Sequence, residues 1–255
     1  MTENRELSKE RETISSMFNS IAPTYDLLNH LLSFGIDISW RKKLVKSVAK
    51  KTEIDKAHIL DLACGTGDVS IAIYNKGAKV TGADISEEMV KVAIRKCQKS
   101  GIENIDFIIA DASQLPFEEN TFDGITISFG IRNFDKRSKC IEELYRVLKP
   151  GGLLAILEFS IPKNKLWKGL YTFYFRKILP AVGNLVSKQK WAYTYLPESS
   201  FRFPCREDFC KELESGKFIR SKYAKPFFGV SSSYSFQAIT FTDFSTAVCN
   251  VISPK

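Results

Sequence analysis

The chain has 255 residues, 44% of them hydrophobic and 26% charged, a length within reach of one large domain and a composition that excludes a disordered polymer. Its 37 basic against 29 acidic residues leave a formal charge of +8, compatible with a nucleic acid, an anionic membrane surface, an anionic cofactor or a merely solvated basic surface. No apolar run approaches the roughly 18 residues of a spanning helix, and the opening MTENRELSKERETISS has no apolar stretch of the secretory kind. Six scattered cysteines and two histidines offer no metal-binding spacing, so an intracellular protein with free thiols and no metal is expected.

In chain order, residues 1–45 are expected to form a helical lid, residues 46–240 the main domain and residues 241–255 a tail to which no structure is assigned. Strand-like and helix-like segments then alternate, the signature of a parallel sheet with crossover helices. Strands are predicted at AHILDLA (57–63), VTGAD (80–84), IDFIIAD (105–111), FDGITISF (122–129) and GLLAILEF (152–159). Helices fall between them at 69–75, at 87–100 after Ser86 as N-cap, and at 136–148 before Pro150-Gly151-Gly152. Residues 163–203 break the rhythm as an insertion rich in aromatic and basic side chains. A helix at 206–215 and a β-hairpin from KFIRSKYAKPF and SSSYSFQAIT finish the sheet. The fold class is therefore α/β, a doubly wound and mostly parallel seven-stranded sheet of Rossmann-like type.

The sharpest motif is DLACGTGD, residues 61–68, where the first strand turns into the first crossover helix. Gly65 and Gly67 permit backbone conformations and close approaches closed to larger residues, and Thr66 lies between them. A dinucleotide site would carry G-x-G-x-x-G, but Ser70 stands at the third glycine. Asp61 and Asp68 would repel a pyrophosphate, whereas a cofactor bearing an amino acid and a sulfonium has positive charge for them to meet, so S-adenosylmethionine fits better. Asp84 ends the second strand nineteen residues beyond Gly65, near the roughly 20-residue spacing of a carboxylate that accepts from ribose hydroxyls. Its blander reading is a cap on the helix that starts near Ser86. Asp111 and Ala112 end the third strand and can meet an adenine edge walled by Leu115, Pro116 and Phe117, and Ser128 ends the fourth strand beside the same crevice.

Several blocks resemble the ubiquinone and menaquinone biosynthesis C-methyltransferases over about residues 17–229. They are MFNSIAPTYDLLNHLLSFGIDISWR (17–41), LDLACGTGD (60–68), DASQLPFEENTFDGITISFGIRNF (111–134), YRVLKPGGLLAILEFSIP (145–162) and YTYLPESSFRFP (193–204). The glycine loop and KPGG are common to many methyltransferases, while FGIRNF and the tyrosine-rich blocks are more particular. The resemblance implies methyl transfer from adenosylmethionine to a ring carbon of a prenylated quinol, either demethylmenaquinol or a methoxy-polyprenyl-benzoquinol, with Thr66, Asp84, Asp111 and Ala112 touching the cofactor. Chains of that family finish soon after a glycine-rich strand, whereas FGVSSSYSFQAIT continues here into FTDFSTAVCNVISPK.

For such chemistry Arg132 is the leading catalytic candidate, as a guanidinium that stabilises an ionised ring hydroxyl, and Asn133 would orient the oxygen or a water. The bland reading of this pair is a surface turn closing a strand. Tyr25, Asp26 and Asn29 would close the lid over the cofactor, and Tyr25, Asn29, Tyr193 and Tyr195 would reach the substrate. Tyr171, Phe173, Tyr174, Phe175 and Trp191 offer a wall for a prenyl tail, or ordinary core packing, with Lys168, Arg176 and Lys177 for lipid headgroups. His58 at the start of a strand and the lone His30 are not expected to act as bases. The expected partners are the prenylated quinol, a transiently met membrane surface at the cytoplasmic side and a second copy in a homodimer, with no nucleic acid. An RNA methyltransferase is the main rival, although no NPPY-like segment follows the fourth strand, and a non-enzymatic cofactor-binding lipid module is another.

Overall fold

The computed structural model describes residues 2–179, 190–204, 206–224 and 230–238, with only the backbone described for 2–11, 190–194 and 220–224. Five parallel strands, β1 His58–Leu62, β2 Lys79–Asp84, β3 Ile105–Ile109, β4 Phe122–Ser128 and β5 Leu148–Phe159, are joined by β6 Phe218–Ala224 and β7 Ser231–Ala238. The sheet order is β3-β2-β1-β4-β5-β7-β6, with β7 antiparallel to both neighbours. The chain order reverses between β1 and β4, and the crevice at their carboxyl ends is where open α/β sheets bind ligands.

The strands read as nearly continuous apolar runs because both faces are covered. Leu60 and Leu62 of β1, with Leu154 and Ile156 of β5, point into one layer, and Ile59, Leu153, Ala155 and Leu157 point into the other. The first layer is closed by α6 Arg137–Val147 and α9 Glu207–Ser215 through Ile141, Leu144, Phe209 and Leu213. The second is closed by α3 Ile36–Lys51 and α4 Asp68–Tyr74 through Trp40, Leu44, Val48 and Ile73. Each such fully buried aliphatic side chain contributes about 1.5–3 kcal/mol. A third cluster joins α1 Thr2–Ile21, α2 Tyr25–Leu32 and α7 Lys165–Phe173 through Met17, Ile21, Leu28 and Tyr171, and it rests on Met89 of α5 Glu87–Lys99. Tyr171 and Phe175 stack at 4.1 Å inside this cluster, so these two aromatics pack the core.

Three boundaries differ from the sequence reading. Helix α3 runs past residue 45 to Lys51 and covers the sheet, so this part of the expected lid belongs to the main domain's layers. Strand β5 begins at Leu148 and takes in Pro150-Gly151-Gly152, with its pairing on β4 shifted between Phe122 and Gly124. The insertion is helical: α7 continues as a π-helical turn, Tyr174–Ile178, and α8 Lys190–Arg202 follows. The expected tail, 241–255, lies outside the described residues.

Candidate active site

The loop after β1 is built from left-handed backbone. Gly65 and Gly67 have φ of 55° and 82°, and Ala63 and, at the end of β4, Phe129 take φ of 54° and 59°. The two non-glycine residues carry a cost of order 1–3 kcal/mol each, a strain characteristic of ligand-binding turns, and both line the crevice. A Cβ on Gly67 would lie 2.9 Å from the Ala93 Cβ, so α5 packs directly on the loop.

Asp84 ties this loop to β2. Its carboxylate accepts from the Gly65 N–H at 2.8 Å and the Ser86 N–H at 2.9 Å. Burial pushes its pKa up, while the N–H donors pull it down. The helix is capped by Ser86, whose hydroxyl accepts from the Met89 N–H at 3.3 Å, so the capping role falls to Ser86 and Asp84 faces the crevice. Asp61 is 1% exposed and accepts from Ser70 Oγ at 2.6 Å and Thr126 Oγ1 at 2.8 Å. Burial outweighs these donors and raises its pKa to about 6.

Gly65, Asp84, Asp111, Ala112 and Ser128 line one cleft of about 820 Å³, closed from above by Phe18 of α1 and from the side by Phe134. Asp61 and Thr66 lie instead in a smaller recess of about 320 Å³ under Tyr25, with Arg41 and Ser128. Gly67 lines neither and acts through the turn it permits. The expected adenine wall of Leu115, Pro116 and Phe117 is not formed. Leu115 is core, Pro116 is exposed, and Phe117 packs edge-on against Phe122 at 4.8 Å. Ile85 and Phe134 supply the apolar wall.

A chain of charges latches α2 and α3 to the loop. Thr66 Oγ1 donates to Asp26 at 2.5 Å, and Lys96 of α5 bonds Asp26 at 2.9 Å and also Asp68. Arg41 reaches Asp68 at 2.9 Å and Asp37 at 3.2 Å, and Asp37 in turn holds His30 Nδ1 at 2.9 Å. Burial works against the Lys96 ammonium, but Asp68 and Asp26 together hold its pKa above the usual value. Asp68 therefore meets two cations of the protein itself, and both acidic ends of the motif, Asp61 and Asp68, line the recess. His58 bonds Thr81 Oγ1 at 2.9 Å at the opposite edge, and burial lowers its pKa.

A second cavity of about 740 Å³ adjoins the first at Tyr25, Phe18 and Phe129, and is lined by Asn29, Trp40, Arg132, Phe159 and Tyr195 among others. Arg132 follows β4 in a 3-10 turn, Ile131–Asn133. Its Nη1 donates to Glu158 Oε1 at 2.9 Å and to the Phe129 carbonyl, and its guanidinium lies 5.4 Å from the Phe159 ring centre. Arg132 is thus no surface turn residue: its side chain is 6% exposed and that of Glu158 0%. Asn133 Oδ1 accepts from the Tyr195 hydroxyl at 3.0 Å, joining two predicted site residues. The side chain of Tyr193 lies outside the described residues. Burial raises the pKa of Tyr25, opposed by Arg41, Arg132 and a bond to Asn29, so it remains a phenol.

Among the described residues, three buried polar atoms in these walls have no protein partner: Ser128 Oγ, Trp40 Nε1 and Arg132 Nε. Buried donors and acceptors are rarely left so, and the residues that carry them line the two cavities. The orphaned Ser128 with the carboxylates of Asp84 and Asp111 suits a nucleoside carrying a positive centre. Sequence reasoning missed Glu158, Arg41 and Lys96. A lone carboxylate in the apolar run GLLAILEF did signal a buried partner, whereas nothing local distinguishes Arg41 or Lys96 from surface cations.

This sheet order, with a glycine loop held by an acidic β2 end at the switch point, defines a doubly wound, Rossmann-like α/β chain with its ligand crevice at the strand tips. Residues 5–236 match the ubiE/COQ5 methyltransferase family, and the chain belongs to it. It is 42% identical over 229 residues to a demethylmenaquinone methyltransferase of Chlorobaculum tepidum, covering 89% of this chain and 93% of that one. It is 43% identical over 232 residues to the ubiquinone/menaquinone biosynthesis C-methyltransferase UbiE of Geotalea daltonii, covering 89% and 97%. Among solved structures, the [4+2]-cyclase SpnF superposes with a TM-score of 0.63 at 16% identity, covering 89% of this chain and 95% of that one. A SAM dependent methyltransferase from Aquifex aeolicus gives 0.55 at 21% identity, covering 72% and 82%. At such identities they share the fold alone, and a cyclase on the same fold illustrates that function resides in the site.

Proposed function

We propose that this chain methylates a ring carbon of a prenylated quinol, demethylmenaquinol being converted to menaquinol. The observation that carries this reading is the pair of cavities meeting at Tyr25, one with acidic strand ends and a small-residue loop, the other mostly apolar with one buried guanidinium. The names of the relatives favour the same substrate.

Adenosylmethionine, when bound, supplies an electrophilic methyl group on a sulfonium. Asp84, Asp111, the Ala112 backbone and Ser128 would hold its nucleoside, and Gly65, Thr66, Asp61 and Arg41 in the recess its amino-acid end. Helices α1 and α2 act as the lid, latched by the Asp26–Thr66–Lys96 bonds, and exclude water from the reacting atoms. A quinol hydroxyl with a phenolic pKa of about 10 costs roughly 4 kcal/mol to ionise at pH 7. Arg132, which lines the second cavity and whose Nε has no protein partner, would donate to the developing ring oxyanion. Its guanidinium stays protonated and so cannot take the hydroxyl proton, which passes to water. Asn133 fixes the Tyr195 hydroxyl, and Tyr25 and Asn29 close the ring site, an alignment that can supply several kcal/mol of the barrier. The substrate's tail brings the enzyme to the cytoplasmic membrane surface, and self-association as a homodimer is compatible with this working position.

The test is a labelling assay with purified protein, methyl-labelled adenosylmethionine and, in separate tubes, demethylmenaquinol, a methoxy-polyprenyl-benzoquinol and bulk tRNA. Label is expected on a ring carbon of demethylmenaquinol. Label only in the benzoquinol moves the substrate to the ubiquinone branch, and label only in RNA overturns the quinol reading.

A further inference from the structure

Outside the site, the most unusual feature of the surface is apolar. On α2 and the turn after it, Leu27, Leu31 and Phe34 follow the i, i+4, i+7 spacing of one helix stripe, and on α7 Leu166, Leu170 and Phe173 repeat it. All six are exposed, Leu166 at 78% and Phe34 at 80%. The stripe one position further round each helix, Leu28 with Leu32 and Tyr171 with Phe175, is the one that packs inward. The two helices touch: the Tyr174 hydroxyl donates to the Leu32 carbonyl, and the Phe34 and Tyr174 rings lie 6.3 Å apart. The exposed stripes therefore belong to one continuous face, of a kind that water-facing monomer surfaces rarely carry.

Along α7 and the π turn after it the charge has one sign: from residue 159 to residue 179 the chain holds no Asp or Glu but has Lys163, Lys165, Lys168, Arg176 and Lys177. Lys165, Lys168, Arg176 and Lys177 ring the groove around Phe173. Leu28, Asn29 and Ser33, on the other sides of α2, line the second cavity. The face thus flanks the cavity that takes the ring.

We propose that this face is a docking surface for a bilayer bearing anionic lipids: Leu27, Leu31, Phe34, Leu166, Leu170 and Phe173 enter the interface while the lysines meet the headgroups. Apolar anchors and juxtaposed cations together give the two signals that stable peripheral binding requires. Docked so, α2 carries the mouth of the second cavity to the depth of a prenyl tail. The proposal shares with the quinol reading only that neighbouring cavity, and the vesicle binding that decides it needs no substrate.

The experiment is co-sedimentation of the full chain with vesicles of phosphatidylcholine alone and with phosphatidylglycerol added. Binding is expected to the anionic vesicles and to fall with salt. Leu31→Ser/Phe34→Ser/Phe173→Ser should bind at least about tenfold more weakly, and Lys168→Glu/Lys177→Glu should lose the preference for anionic lipid. Both variants should keep wild-type melting temperatures and wild-type turnover of a short-tailed, water-soluble acceptor. Absence of vesicle binding by the wild type, or unaltered binding by both variants, overturns the proposal. So does a change from dimer to monomer in the serine variant on size-exclusion chromatography, because the face is then a protein interface. Failure of the quinol reading alone would leave the vesicle result standing.

Discussion

Arg132 and Glu158 come from the ends of neighbouring strands and pair where neither can reach bulk water. Removing one partner of such a pair leaves a buried charge and costs about 3–5 kcal/mol. Arg132→Ala should therefore lower stability as well as turnover, and the informative change is Arg132→Lys, which keeps the charge for Glu158 but loses the fork. Calorimetry should find adenosylmethionine binding within about threefold of wild type and the assay a turnover loss of at least about a hundredfold, as when an oxyanion donor is removed. A lysine variant with wild-type turnover would remove Arg132 from the chemistry. Glu158 holds the Arg132 guanidinium in place, and on the proposed mechanism Glu158→Gln should lower kcat far more than it raises KM. Asp61 gives a separate prediction. Its folded pKa of about 6 lies above its ordinary 3.8, so the folded protein gains from the bound proton below about pH 4 and loses that advantage as pH rises through 6. Relative to Asp61→Asn, in which no proton can leave, wild type should lose up to about 3 kcal/mol of stability between pH 4 and 7. Chemical unfolding of both proteins across that range checks it, and a constant difference would mean that Asp61 titrates normally.

At the scale of elements, the loop between β1 and α4 has to satisfy three neighbours together: Asp84 of β2, Ala93 of α5 and Asp26 of α2. Gly67 is where they conflict with any side chain, since its φ is left-handed and a Cβ would meet Ala93 at 2.9 Å. Gly67→Ala is expected to lower stability by about 1–3 kcal/mol and to weaken adenosylmethionine binding at least about tenfold, because α5 and the loop must part. Near-native melting and affinity together would show that the contact yields cheaply. The glycine loop was legible because turn chemistry is local, and so were the strands between residues 57 and 159, whose apolar runs and caps are local too. The end of the lid was not. Helix α3 has a regular helical sequence on both sides of residue 45, and only the sheet against which Trp40, Leu44 and Val48 pack decides that it belongs to the main layers. Pro150-Gly151-Gly152 reads as a turn, yet β5 carries on through it with its register on β4 shifted, since a proline is tolerated at a bulge where it is not within a regular ladder.

For the whole molecule, the crevice at the switch point couples ligand binding to folding. A ligand that binds only the folded chain stabilises it by about 2.7 kcal/mol at a hundred times its Kd. A chain of this size gains roughly 2–4 °C per kcal/mol, so saturating adenosylmethionine should raise Tm by about 5–10 °C in differential scanning calorimetry, with NAD producing no shift. A response to NAD in place of adenosylmethionine would return the loop to the dinucleotide class. The sequence by itself determined the α/β class, the glycine loop and the acidic strand ends, because periodicity, capping and turn conformation depend on neighbours within a few residues. Only the tertiary structure decided that Arg132 meets Glu158, that Asn133 holds Tyr195 and that Lys96 latches Asp26, pairs 26, 62 and 70 residues apart. Such pairs are set by strand order and helix packing. Spacing along the chain carries no record of which side chains the sheet brings face to face.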